Sequence, residues 1–454
     1  MTRILLGWTA LFVLAAAPVR AQETVRLTQE AAVARALDTS HRLAEANARV
    51  TGAEAAIRSR QAAEQPTVNV SGGYTRTNHV DQFFVPQPIG PPRLIYPDIP
   101  DNYVTRVAFQ WPIYTAGKTD ALIRAAEAEA RAATEDVRTA RADLELETIR
   151  AYWALVTATD AERVLREAVT RADATVRDVR ARYDSGLIPP NEVSSAEAQR
   201  SRQQLQLIES QNQRRSVLED LRRLTGITGR IEPADVLTPL TATPSTPPPT
   251  VVNPSAVAPQ DARPVTAQST APADDRSERQ ALVERITAAE ERQRAIEAGR
   301  KPTVAVTAGA DYSNPNPHIF PRTDAWRHSW DMSVSANWNL WDGGRVAAEA
   351  SEAAAATAAA RERLAELNSQ IALDIAQRRL DLDSARASLG AADDGVRSAT
   401  EARRVVAERF TVGVATSTEV LDAQLALLQA ELDRTRALAS IKLAEARLDR
   451  ALGR

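Results

Sequence analysis

The chain has 454 residues, a formal net charge of −3 and no cysteine. Balanced charge argues against a nucleic-acid footprint, and the missing thiols exclude disulfides and any thiolate centre. Aromatics at only 4%, beside abundant alanine, suit long helices better than a compact aromatic core.

The N-terminus sets the compartment. Arg3, an apolar run from Ile4 to Val19 and a small residue at Ala21 have the layout of a secretory signal peptide covering 1–21. No later apolar run is long enough to cross a bilayer as a helix, so any membrane crossing must use strands. No cofactor is expected.

From residue 22 the chain reads as a tandem duplication: a first repeat at 22–227, a proline-rich linker at 228–276 with ten prolines, and a second repeat at 277–454. Trp111, Gly117, Gly186 and Gly226 recur 227 residues later as Trp338, Gly344, Gly413 and Gly453. QPTVNVSGGY (65–74) returns as KPTVAVTAGA (301–310) at an offset of 236, so the first copy holds nine extra residues before Trp111.

In chain order, each copy opens with a helix, 28–63 or 277–300. A strand follows its proline, Thr67–Arg76 or Thr303–Tyr312, and a polar loop leads to a second strand, Tyr103–Ile113 or Trp330–Leu340. These second strands alternate cleanly between an apolar and a wet face. The aromatics Tyr103, Trp111, Trp330 and Trp338 read as a membrane belt. Trp330 and Trp338 stand roughly 26 Å apart at strand rise, which matches girdles around an apolar band of about 25 Å. A soluble sandwich core is the competing reading. Four strands per chain cannot close a small barrel of about eight, and open edges are not tolerated in lipid, so closure must come between chains.

The glycine pivots Gly117, Gly343 and Gly344 turn sheet into helix. From Lys118 to Ser185 there is no glycine or proline, and from Arg345 to Val412 only Gly390 and Gly395 interrupt. Val169, Ala172, Val176, Val179 and Tyr183 keep coiled-coil spacing. The long helices reverse at RYDSGLIPPNEV (182–193) and RFTVGVATSTEV (409–420), and return helices run about 190–225 and 417–452. Thr416 and Glu419 form a capping-box pattern, and Pro190 suits a first helical turn.

The duplication, the junctions WPIYTAGK and WNLWDGGR, and the two tip hairpins together resemble the TolC family of outer-membrane efflux proteins over essentially the whole mature chain. The resemblance implies a mainly α fold with a small β part: a homotrimer whose four strands per chain build one transmembrane β-barrel, continued by a long periplasmic α-helical barrel. It implies an outer-membrane location in contact with lipid, and docking of a periplasmic adaptor and an inner-membrane pump at tips formed by Gly186, Leu187, Val412, Gly413 and Val414. It further implies an aperture at Glu419, Asp422, Asn191, Glu192 and Phe410, with Glu419 and Asp422 in an acidic ring. Phe410 and Ala415 stand where the family pattern leads one to expect tyrosine and arginine, so closure should lean on apolar packing rather than a polar latch.

The expected function is therefore the exit duct of a tripartite efflux pump. The alternatives are the duct of a type I protein-secretion system, whose tunnel would look the same, and a non-channel periplasmic coiled-coil protein. An enzyme is not expected: His41, His79, His318 and His328 are scattered, and no phosphate loop or zinc signature is present.

Overall fold

The computed structural model describes residues 24–235 and 276–454. The signal-peptide reading at 1–21 and most of the linker lie outside these residues. The chain divides into two compact units.

The first unit takes residues 24–40, 144–235 and 380–447 among those described. Strand β1 (Thr24–Leu27) pairs in parallel with β6 (Arg230–Pro233), about 200 residues away in sequence. The Tyr152 hydroxyl, fully buried, donates to the Leu27 carbonyl and contacts the Asp235 carboxylate at 2.7 Å. Burial and that carboxylate push the phenol well above its ordinary pKa. β6 thus falls at the start of the stretch assigned to linker: four residues held by a distant strand carry no local periodicity.

α1 (Gln29–Thr39) begins at the Thr28 cap and buries Ala32 and Ala36. It ends at Ser40, where the backbone turns extended, so the single helix expected over 28–63 is two. α2 (His41–Ala62) belongs to the second unit and buries none of its side chains.

The second unit also contains the sheet. Strands β2 (Thr67–Arg76), β5 (Asp101–Tyr114), β7 (Thr303–Asn314) and β8 (Arg327–Asn337) form one antiparallel sheet in the order β2-β5-β7-β8. The loop between β2 and β5 carries a small hairpin, β3 (Phe83–Val85) with β4 (Arg93–Tyr96), absent from the sequence reading. β8 ends three residues earlier than expected, so Trp338 and Leu340 lie beyond it. The ladder runs out for a physical reason: β7 starts after Pro302, which has no N–H to donate, and Thr303 pairs with Asn337 as the last register position.

Each half of the sheet feeds a long helix, α3 (Lys118–Asp184) and α6 (Arg345–Thr411), both of 67 residues. That is about 100 Å of helix at 1.5 Å per residue. Alanine-rich sequence without proline permits the length, and Gly390 and Gly395 sit inside α6 without ending it. α4 (Pro190–Thr225) and α7 (Ser417–Ala451) return. α5 (Ser277–Glu297) precedes β7 through one 3-10 turn. Within the helical layers, Ala172 and Val179 are buried and Val164, Leu165, Ala168 and Leu428 form a cluster, whereas Tyr183 is exposed.

Candidate functional site

The four-stranded sheet is inside out. Cross-strand partners share a face: Val68 with Phe109, Val70 with Val107 and Tyr74 with Tyr103 on one side, Asn69 with Ala108 and Ser71 with Arg106 on the other. On the apolar side Trp330 is 77% exposed, Val70 72% and Met332 65%, while Asp311 and Ser313 on the polar side are 5% and 1% exposed. Val306, paired with Trp111, is buried on the apolar side. A soluble sandwich would cover these apolar side chains as its core; here they form a continuous exposed surface on strands of 10 to 14 residues. That length suits a tilted transmembrane strand. Among the described residues, β2 and β8 each pair on one side only.

Aromatics gather at both ends of the sheet. Tyr103 packs at a tilt against Tyr74 at 5.1 Å and against Trp326 at 5.9 Å, and Trp326 stacks on Tyr312 at 5.0 Å. At the other end, Trp111 Nε1 donates to the Glu64 carbonyl and Trp338 Nε1 to that of Arg300. Of the four belt residues read from sequence, Tyr103, Trp111 and Trp338 therefore have specific partners, and Trp330 is freely exposed. Tyr74, Tyr312 and Trp326 were missed because two lie on first strands, where alternation is weaker, and one in a loop.

The polar side carries a charged brace. Arg106 of β5 sends Nη1 to Asp311 of β7 at 2.9 Å and Nη2 to Asp331 of β8 at 2.9 Å. Asp311 is its register partner, but Asp331 is one strand further. The guanidinium reaches it over Gly309, the register partner of Asp331, where any Cβ would collide with Arg106. His318 approaches Asp311 at 3.8 Å, and Asp311, His318 and Asp331 offer ligand atoms within 4.8 Å. Their carboxylates are already held by the guanidinium fork, a geometry that lysine cannot reproduce.

The sheet-to-helix pivots adopt left-handed backbone in both copies: Ala116 and Gly117 at φ 58° and 80°, Gly343 and Gly344 at φ 66° and 85°. In the second copy Asp342 caps α6, its carboxylate accepting from Gly344 N and Val346 N at 2.9 Å. The backbone bonds from Val346 and Gly344 hold that carboxyl below its ordinary pKa.

The tips are built alike and packed differently. Leu187 N donates to the Arg182 carbonyl and Gly186 N to that of Tyr183; 227 residues on, Val414 N donates to Arg409 and Gly413 N to Phe410. Each is a Schellman closure through a left-handed glycine, at φ 73° and 78°. Leu187, Val412 and Val414 point into solvent, between 65% and 73% exposed. Phe410 is buried in a cluster with Val179, Ala196, Ala415, Val420 and Leu421, and the Arg182 guanidinium lies 4.0 Å over its ring. Ala415 lies inside that apolar cluster.

Of the residues read as the aperture, Glu419 is engaged locally: Glu419 N donates to Thr416 Oγ1 at 3.3 Å, and Thr416 N to Glu419 Oε1 at 3.4 Å, the reciprocal capping box. Asp422 and Asn191 are exposed. Glu192 is half-buried and accepts from the fully buried Ser417 hydroxyl at 2.6 Å, tying the start of α4 to the start of α7. Sequence reading missed Ser417 and Arg182. Their only signal was position beside residues already singled out.

An exposed apolar sheet girdled by aromatics, each half leading into a 67-residue helix, defines the outer-membrane efflux channel class. The family model for outer membrane efflux proteins matches residues 32–227 and 276–454, and the chain belongs to that family. Similar solved structures include VceC from Vibrio cholerae, 21% identical, covering 94% of this chain and 96% of that one with a TM-score of 0.73. CmeC from Campylobacter jejuni is 16% identical, with 99% and 94% covered and a TM-score of 0.72. The open state of MtrE from Neisseria gonorrhoeae is 16% identical, with 94% and 88% covered and a TM-score of 0.70. No curated protein sequence matches significantly.

Proposed function

We propose that this chain is the outer-membrane exit duct of a tripartite efflux pump, passively conducting small toxic compounds from periplasm to exterior. The observation that carries the reading is the inside-out sheet whose edge strands β2 and β8, among the described residues, each pair on one side only. In lipid an open edge leaves unpaired N–H and C=O groups, each costing several kcal/mol. Closure by other copies removes that cost, and a homotrimer gives twelve strands. The polar face then lines a wet lumen, and the apolar face meets lipid.

The helices continue the lumen into the periplasm, and the exposed Leu187, Val412 and Val414 offer apolar seats to an adaptor bound to an inner-membrane pump. Asp422 is the better candidate for the acidic ring of the aperture, because Glu419 is occupied as a helix cap.

Purified protein in planar bilayers should conduct, and it should run as a detergent-stable oligomer that heating dissociates. A soluble rod without detergent or conductance would overturn the proposal. In cells, a deletion strain should become sensitive to dyes and drugs. Normal tolerance with loss of a secreted protein would reassign the duct to type I secretion.

A further inference from the structure

The polar face of the sheet is nearly devoid of charge. Along β2 it presents Thr, Asn, Ser and Gly, and along β5 and β8 mostly neutral residues as well. The charges on it are Arg327, at the first position of β8, and a single layer made of Arg106, Asp311 and Asp331. That layer is one guanidinium against two carboxylates, a net charge of −1 per chain. Arg106 and Asp331 have side chains 38% exposed, whereas Asp311 is 5% exposed.

We propose that this layer is the charge filter of the sheet-walled part of the channel, and that Arg106 is the residue that sets its strength. The inference rests on the channel reading above. A permeating ion meets the exposed edge of the layer, Arg106 and Asp331, while Asp311 anchors the guanidinium from beneath. Arg106 thus neutralises half of the negative charge of the layer and leaves one net negative charge per chain. Gly309 serves the same end by keeping the path across β7 open for the side chain. His318, at 3.8 Å from Asp311, is the titratable group facing the layer from the β7–β8 loop.

A purely structural brace and a filter make different forecasts for the two ends of one ion pair. Loss of either end of a brace weakens the same contact and moves the channel in the same direction. In a filter, removing the cation and removing the anion change the lumen charge with opposite sign.

The test is the reversal potential of single channels under a KCl gradient at low ionic strength, where the Debye length exceeds about 10 Å. Recording every variant at one fixed pH keeps the comparison to the substituted charge alone. Arg106→Gln should raise the K⁺-over-Cl⁻ permeability ratio about twofold or more, and Asp331→Asn should lower it by a similar factor. Arg106→Lys keeps the charge and should stay near wild type. Gly309→Ala, which displaces the guanidinium without altering any charge, should broaden the spread of conductance levels and leave the mean ratio nearly unchanged.

Conducting channels in which Arg106→Gln and Asp331→Asn leave the ratio unmoved, or move it the same way, would overturn the filter alone. A wild-type protein that forms no channel would remove the channel reading and the filter with it.

Discussion

The indole of Trp111 donates to the carbonyl of Glu64 at 3.1 Å, three residues before β2 begins. The second copy repeats the contact: Trp338 donates at 3.0 Å to Arg300, three residues before β7. The Glu64 carbonyl lies just past the end of α2 and the Arg300 carbonyl at the end of the 3-10 turn. The two bonds clamp the end of one strand to the turn that leads into its neighbour, and the contact recurs although Trp111 lies within a strand and Trp338 just past one.

Replacing both indoles by phenylalanine keeps the aromatic surface and removes the donors. Trp111→Phe with Trp338→Phe should lower the melting point of the detergent-solubilised protein without unfolding it at room temperature. Each lost bond is worth about 1 kcal/mol at most at these half-exposed sites. An unchanged melting curve would show that the clamps are ornamental.

Ala116 occupies a left-handed conformation that its counterpart Gly343 occupies without a Cβ. The strain is on the order of 1 kcal/mol. Ala116→Gly should therefore leave stability equal or slightly raised, because relief of strain competes with added freedom in the unfolded chain. Gly117→Ala and Gly344→Ala should both destabilise, as seen by heat dissociation on gels.

Glu278, at the start of α5, sits between Arg276 and Arg450. Burial pushes its carboxyl up, but the hydrogen bonds of the two guanidinium groups outweigh that and hold it at about 2, against an ordinary 4.5. A depressed acid contributes stability that is fully present above about pH 4.5 and is lost as pH falls toward 2. Protection factors across α5 and the end of α7, with the intrinsic exchange rate divided out, should fall between pH 5 and pH 3. Glu278→Gln should be looser at pH 5 and show a smaller further change.

At the tip, Glu419 and Asp422 separate into cap and free carboxylate. Asp422→Ala should weaken block of single channels by divalent cations while leaving the helicity of α7 intact. Glu419→Ala should fray the first turn of α7, and Glu419→Gln, which can still accept from Thr416, should restore it. If both single variants leave cation block unchanged, neither residue lines the constriction.

Much of this fold was written in features that act locally. The bounds of β2 and of the return helix α4 follow from proline, glycine and alternation, and the offset of 227 residues located turns whose glycines adopt matching left-handed backbone. The brace was not legible, because a partner two strands away requires the register, and a slip of one residue reverses every face. Nor was the Ser417–Glu192 bond, which joins residues 225 positions apart. The family resemblance alone marked Phe410, as a departure from an expected tyrosine; its place beneath Arg182 came from packing between the two copies' tips.

The pairing of β1 with β6 also orders events in time. The strand at Thr24–Leu27 has no partner until residues near Arg230 exist, and the Tyr152 hydroxyl that bolts it in place arrives only midway. Closing so long a loop is entropically slow compared with propagating the helices between. The strand that comes first among the described residues is thus expected among the last of its repeat to settle, fastening the first copy shut only when that copy is complete.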